Sequence, residues 1–167
     1  TVEIAKESGA LIYKVDWKND FSYAKNYAID RATGDWIVFL DADEYFTEKS
    51  IDKVKCEIEK IDKEKIDAMI CKIVNVNADD NNRYMSSFYN LRIFKNNANL
   101  RYENKVHEML KTKNAEQLRL LKLDNNIEIY HTGYSSSIIK AKLERNLKIM
   151  LDEIKKNGEK PWHYGFL

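Results

Sequence analysis

The stretch WIVFLDADEYFT, residues 36–47, sets five apolar or aromatic residues in one unbroken run and then places Asp41, Asp43 and Glu44 within four positions. A run of this length, preceded by Gly34-Asp35 and followed by polar residues, reads as a strand buried on both faces of a parallel sheet. Carboxylates just past its end then stand at the carboxyl edge of the sheet, where open α/β sheets bind ligands. Like charges so close together repel one another unless a cation or hydrogen-bond donors offset them. The stretch therefore points to an α/β sheet whose edge holds a hard, oxygen-bound metal ion.

The rest of the chain supplies elements for such a sheet. VEIAKESG predicts a helix closed by Gly9, followed by a short strand over Leu11 to Val15, the second half of a βαβ unit. In FSYAKNYAIDRATG, Ala24, Tyr27, Ala28 and Ala32 recur at helical spacing, with Asp20 or Ser22 as N-cap and Gly34 as stop. After Thr47, Ile51, Val54, Ile58 and Ile61 mark a second amphipathic helix whose Lys and Glu residues form a solvated face. Segments 68–76, 88–95, 100–110 and 127–134 read as strands between the turn-formers NADDNN, KNNAN and LDNN. A last helix carries Ile139, Leu143, Leu147, Met150, Leu151 and Ile154 and ends at Asn157-Gly158, before Pro161. The expected class is α/β: a mostly parallel mixed sheet flanked by helices, with a carboxyl-terminal helix.

Composition narrows the function. With 28 basic and 27 acidic residues, bulk charge favours neither nucleic acid nor an anionic membrane surface, so any anion site is local. Cys56 and Cys71 fit no CxxC or Cys/His pattern and read as core thiols of a reduced, cytosolic chain. No apolar stretch approaches the ~18 residues of a membrane span.

Three readings of the acidic turn compete. A calcium loop of the EF-hand type needs an oxygen ligand and then glycine where Tyr45 and Phe46 stand. A structural reading lets the acids favour the dipole of the helix that starts near Thr47. A metal reading uses the one-residue separation of Asp41 and Asp43, which projects both to the same side of the chain. One carboxylate then takes Mg²⁺ or Mn²⁺, and the other orients a ligand hydroxyl or a metal-bound water. A lone DxD arises often by chance; its place after WIVFL gives it weight.

The wider stretch NDFSYAKNYAIDRATGDWIVFLDADEYFT resembles the heart of family 2 glycosyltransferases of the GT-A fold, whose pattern runs FSxAR/KN, AxGDWI, LDADE. NKVHE (104–108) and IYHTGY (129–134) resemble a bacterial branch of that family. The resemblance implies a GT-A-like domain over residues 1–134 and a helical extension over 135–167. It implies metal-dependent transfer of a sugar from a nucleoside diphosphate donor to a glycan, lipid-linked or protein acceptor, with inversion, in the cytoplasm or at the inner face of the membrane. By the same resemblance Asp43 coordinates Mn²⁺ or Mg²⁺, Asp41 contacts the ribose or a metal-bound water, Glu44 backs them, and Lys25 faces the nucleotide or its diphosphate. His131 becomes a third metal or diphosphate ligand, against the alternative of a hydrogen-bonded core histidine. Inverting transfer needs a carboxylate to take the acceptor proton; Glu108 is the candidate, with His107 positioning it or the acceptor. Trp17, Trp36, Tyr89, Tyr102, Tyr134 and Trp162 are aromatic faces for an acceptor sugar or core residues.

Members of that family begin with two strands, the second ended by a DTGSTD-like turn that holds base and ribose. Thr1 stands where that turn would end, so residues 1–167 alone are expected to lack about half a nucleotide site and not to turn over substrate. Two rival readings remain: a non-catalytic GT-A-like binding or scaffold domain, and a nucleotidyltransferase, whose Gly-rich phosphate loop is not found here.

Overall fold

A computed structural model describes residues 2–61, 65–124, 126–161 and 163. In chain order the elements are α1 (Val2–Glu7), α2 (Phe21–Ile29), β1 (Trp36–Val38), β2 (Glu44–Phe46), α3 (Glu48–Lys60), β3 (Ala68–Asn77), β4 (Arg83–Lys95), β5 (Leu100–Glu103), β6 (Met109–Thr112), β7 (Leu120–Lys122), β8 (Glu128–His131) and α4 (Ile139–Asn157). The main sheet runs β1-β4-β3-β8-β2, with β7 also on β3, and β5-β6 form a separate hairpin. The expected mixed α/β sheet with flanking helices and a carboxyl-terminal helix is present.

Alternation along β3 and β4 builds the two sides of the core. Met69, Cys71, Ile73 and Ile93 face Val54 of α3 together with Leu123, Ile127 and Ile129. Ala68 and Phe94 face the other way, onto Ile29 of α2, Ile37 of β1, and Leu100, Tyr102 and Leu110 of the hairpin. A third cluster joins Ile149 and Met150 of α4 to Val106 and Phe21.

Several local expectations are corrected. Leu11 to Val15 forms no strand, and Leu11 is 82% exposed; an extended segment with no neighbour to pair with leaves its backbone to water. WIVFL is not a central strand buried on both faces. Only Trp36–Val38 is regular, it pairs antiparallel with β4 at one end of the sheet, and Val38 is exposed. The parallel pairings come instead from β3 with β7 and with β8. Residues 100–110 break into two strands, which leaves His107 and Glu108 on the connecting loop. Cys71 is buried, and burial pushes its thiol up to about 12, but Cys56 is exposed on α3. Among the described residues no helix is long and apolar enough to cross a membrane.

A carboxylate anchors β7 to the sheet. Asp67, just before β3, accepts from Arg119 Nε at 2.8 Å and Nη2 at 2.7 Å, and from the Arg119 backbone N–H at 3.0 Å. These bonds outweigh burial and hold the Asp67 carboxyl down at about 2, against an ordinary 3.8. A depressed value means that the folded state gains stability above the unfolded pKa and loses it as pH falls through the folded one. Asp67→Asn should therefore lower stability at neutral pH and flatten the fall between about pH 4 and pH 2, as read from urea denaturation at each pH.

Candidate functional site

The acidic turn is built by the way β1 hands over to β2. Beyond β1 the Phe39 N–H still donates to Arg92 of β4, at 2.8 Å, and the chain then folds back so that the Glu44 N–H donates to the Asp41 carbonyl, at 3.0 Å. Entering β2, Glu44 stands opposite His131 of β8. The Thr132 N–H reaches the Asp43 carbonyl at 2.9 Å. Asp41 and Asp43 thus lie at the point where β1, β2, β4 and β8 meet.

Their side chains enter two different clusters. In the first, Lys25 Nζ of α2 lies 2.8 Å from Asp41 Oδ1 and 2.7 Å from Glu108 Oε1. Burial opposes the charge on Lys25, but Glu108 and Asp41 together outweigh it and raise its pKa above the ordinary value. Arg92 forks onto Glu44, with Nε 2.8 Å from Oε2 and Nη2 2.7 Å from Oε1, and Nη2 also lies 3.4 Å from Asp41 Oδ2.

Local bonds place Lys25 against this line. Asp20 caps α2 by accepting from the Tyr23 N–H, at 2.9 Å. The Asn26 amide pairs with both backbone groups of Tyr102 in β5, each at 2.9 Å. The Phe21 N–H donates to the Lys105 carbonyl at 2.9 Å, and Ser22 Oγ donates to the Asn104 carbonyl. Helix α2 thereby fixes the loop that carries His107 and Glu108. Asn104 and His107 both take left-handed backbone there, with φ of 74° and 54°, a conformation asparagine adopts readily and histidine less so. Burial lowers the His107 pKa, with Glu108 opposing.

The second cluster centres on Asp43. Its Oδ2 lies 3.3 Å from His131 Nε2 and 3.1 Å from Lys142 Nζ of α4, and Lys142 Nζ is 3.3 Å from the same Nε2. His131 is buried, and its Nδ1 is 2.7 Å from Asn75 Oδ1, while Asn75 Nδ2 donates to Ser86 Oγ at 2.8 Å. Nδ1 thus faces the Asn75 amide oxygen, and Nε2 is the ring nitrogen turned toward Asp43 and Lys142. The His131 contact, then Lys142, against burial, holds the Asp43 carboxyl far below the ordinary carboxylate range. A Cβ on Gly133 would overlap Asp43 Oδ2, Lys142 Nζ and His131 Nε2 together, so the convergence requires glycine there.

A divalent cation of the kind the turn implies fits this arrangement. Asp43 offers an anionic oxygen and His131 a ring nitrogen, and both lie within 3.3 Å of the Lys142 ammonium. No group of three His, Cys, Asp or Glu side chains suited to a metal occurs among the described residues. Two protein ligands would leave the other positions around Mg²⁺ or Mn²⁺ to phosphate oxygens and water.

The structure brings Asp43 and His131 together, and separately joins Lys25, Asp41 and Glu108. Glu44 binds Arg92 and faces inward. Tyr134 packs edge-on to His131 at 5.1 Å between centroids and lines an open concavity of about 390 Å³ with Asn75, Met85, Ser86 and Phe88. Neither Asp43 nor His131 lines that concavity. Trp36 and Tyr102 are core residues, Trp17 packs on Phe21, and Tyr89 lies under Lys122. Trp162 lies outside the described residues. Sequence reasoning missed Arg92, Lys142, Asn75 and Gly133. Arg92 did leave a signal, a single charge inside the apolar run LRIF; Lys142 left none among the many lysines of α4.

The glycosyl transferase family 2 model matches residues 1–134. The chain is 30% identical over 155 residues to the SPbeta prophage-derived glycosyltransferase SunS of Bacillus subtilis (strain 168), covering 90% of this chain and 35% of that protein. Glycosyltransferase SunS of Bacillus phage SPbeta matches equally, and a TPR repeat-containing protein of Synechococcus elongatus is 31% identical over 110 residues, 66% of this chain and 26% of its own. The chain thus spans about a third or less of these relatives.

Gly133→Ala tests the convergence. Asp43 Oδ2 and Lys142 Nζ end flexible side chains that can swing aside, whereas the His131 ring is buried and held by Asn75, so the melting temperature should fall by about 4 °C. The Asp43–His131 contact should be lost, read as a change in the imidazole ¹⁵N shifts of His131. Unchanged shifts would mean that Gly133 does not shape the cluster.

Proposed function

The chain belongs to glycosyl transferase family 2, and from that premise we propose that the protein moves a sugar from a nucleoside diphosphate donor to a glycan, lipid-linked or protein acceptor, with inversion and with Mn²⁺ or Mg²⁺. The observation that supports this reading is the meeting of Asp43 and His131 Nε2 beside Gly133, two residues along the chain from Asp41 of the Asp41–Lys25–Glu108 line. The bound cation would supply charge neutralisation for the departing diphosphate.

The chain's own residues have distinct tasks in this proposal. Asp43 and His131 hold the cation. Asp41, fixed by Lys25 and Arg92, orients the ribose or a bound water. Lys25 faces the diphosphate and ties Asp41 to Glu108. Glu108 accepts the acceptor proton at its carboxylate, and His107, in its left-handed backbone position, sets the orientation of Glu108 or the acceptor.

Two variants of the protein at its natural full length test this reading: Asp43→Asn keeps the size of the side chain but loses the anionic oxygen. Calorimetry should show that Mn²⁺-dependent binding of nucleoside diphosphate is abolished while the circular dichroism spectrum is retained; unchanged affinity would sink the metal-site reading. Glu108→Gln keeps volume and a hydrogen-bonding group yet accepts no proton. Its kcat should fall by about 10²–10⁴-fold with donor affinity nearly intact. A fall of only a few-fold would move the base to another carboxylate.

A further inference from the structure

The Lys142 ammonium stands where a cation would bridge Asp43 to His131. It lies 3.1 Å from Asp43 Oδ2 and 3.3 Å from His131 Nε2. The Asn75 amide oxygen holds the Nδ1 side of the His131 ring, so Nε2 and the Asp43 carboxylate both face that ammonium. A divalent metal would need the same two atoms at roughly 2.0–2.2 Å. A lysine ammonium touching both ligands cannot remain beside a doubly charged ion, because like charges at such distance in a half-buried site repel strongly.

The cations around the acidic turn differ in their freedom to leave. The side chains of Lys25 and Arg92 are 8% and 9% exposed and locked between carboxylates. Lys142 is 25% exposed and Asp43 31%, so the lysine has a way out to water. Its anchor lies in the first turn of α4, and a change of side-chain rotamer withdraws the ammonium without moving the helix.

Resting on the metal-site reading above, we propose that Lys142 and the divalent cation are alternative occupants of one position. Lys142 holds Asp43 and His131 together in the metal-free protein and is displaced when the cation binds. The freed ammonium, still tethered at α4, is then available to the phosphate oxygens of the donor. This makes Lys142 a positioning residue whose removal helps one ligand while weakening the empty site.

The test is Mn²⁺ titration by calorimetry and electron paramagnetic resonance on the protein at its natural full length, comparing wild type with Lys142→Met, Lys142→Gln, Lys142→Arg and Asp43→Asn. The neutral Met and Gln variants should bind Mn²⁺ at least about tenfold more tightly, and Arg should not. In metal-free buffer the same two should melt earlier than wild type, and Mn²⁺ should raise their melting temperature by more. Mn²⁺ binding found only in the Met and Gln variants would also support displacement. Binding that depends on Asp43 yet is unchanged or weaker in both neutral variants would overturn the displacement and leave the metal site standing. No Mn²⁺ binding in wild type or any variant would overturn the metal site and the displacement together.

Discussion

The grip of Arg92 on Glu44 is the contact on which the acidic turn depends. Both side chains are buried, and the guanidinium meets the carboxylate through two parallel bonds of 2.8 and 2.7 Å, the geometry that suits this pair best. Burial acts against the Arg92 charge, but Glu44 first and Asp41 after it outweigh burial and raise its pKa. Removing one partner of such a buried pair typically costs about 3–5 kcal/mol, because the other charge is left uncompensated. Arg92 comes from β4, in the middle of the fold, whereas Glu44 opens β2 near its far edge. Their pairing fixes where the chain turns between them, and so where Asp41 and Asp43 point.

From Arg92 the charges alternate outward. Glu44 meets Arg92, Arg92 meets Asp41, Asp41 meets Lys25 and Lys25 meets Glu108, with separations between 2.7 and 3.4 Å. The five residues come from β2, β4, the acidic turn, α2 and the 104–108 loop, so a line of charge ties these segments together beside the apolar contacts that α2 makes with β4 and with the loop. Three carboxylates and two cations leave one formal negative charge on the line. The turn is thus held firmly before any ligand arrives, which is the preorganisation a site for developing charge requires.

What was legible in the sequence follows from the range of the interactions involved. Helix α2 with a cap at Asp20, one of two caps the sequence allowed, and α3 after Thr47 are set by neighbours in sequence and were readable, whereas β2 (Glu44–Phe46) was not, and α2 stops at Ile29, before the expected Gly34. The partners of the acidic turn were not readable either. Arg92 lies 48 residues from Glu44, and Lys142 lies 99 from Asp43; a lysine on a charged helix reads as solvated until the fold places a carboxylate over it. The run WIVFL misled because unbroken apolar character is shared by strands buried on both faces and by strands such as β1 that alternate between core and solvent. His131 was ambiguous between core and ligand, and its surroundings explain the ambiguity. It is buried and hydrogen-bonded through Asn75 on one nitrogen, and aimed at Asp43 with the other.

Helix α4 shows how an inward face can defeat periodicity and still serve the site. Its regular leucines, Leu143, Leu147 and Leu151, are 59%, 45% and 42% exposed, while its inward residues are Ile149, Met150 and the acidic Glu153. Lys142 and Ile149 are seven apart, two turns along one side of a helix and about 10 Å in rise. At one end of that stretch Lys142 meets Asp43 and His131; at the other Ile149 packs on Val106, the residue before His107 and Glu108. A single rigid helix therefore spans the gap between the cluster that would hold a cation and the loop that would take a proton. Until a cation displaces Lys142, helix geometry helps to set their spacing. Two groups proposed to act on opposite sides of one breaking bond need a defined separation, so α4 would set it in the waiting site, and the cation and the acidic turn would keep it once Lys142 has left.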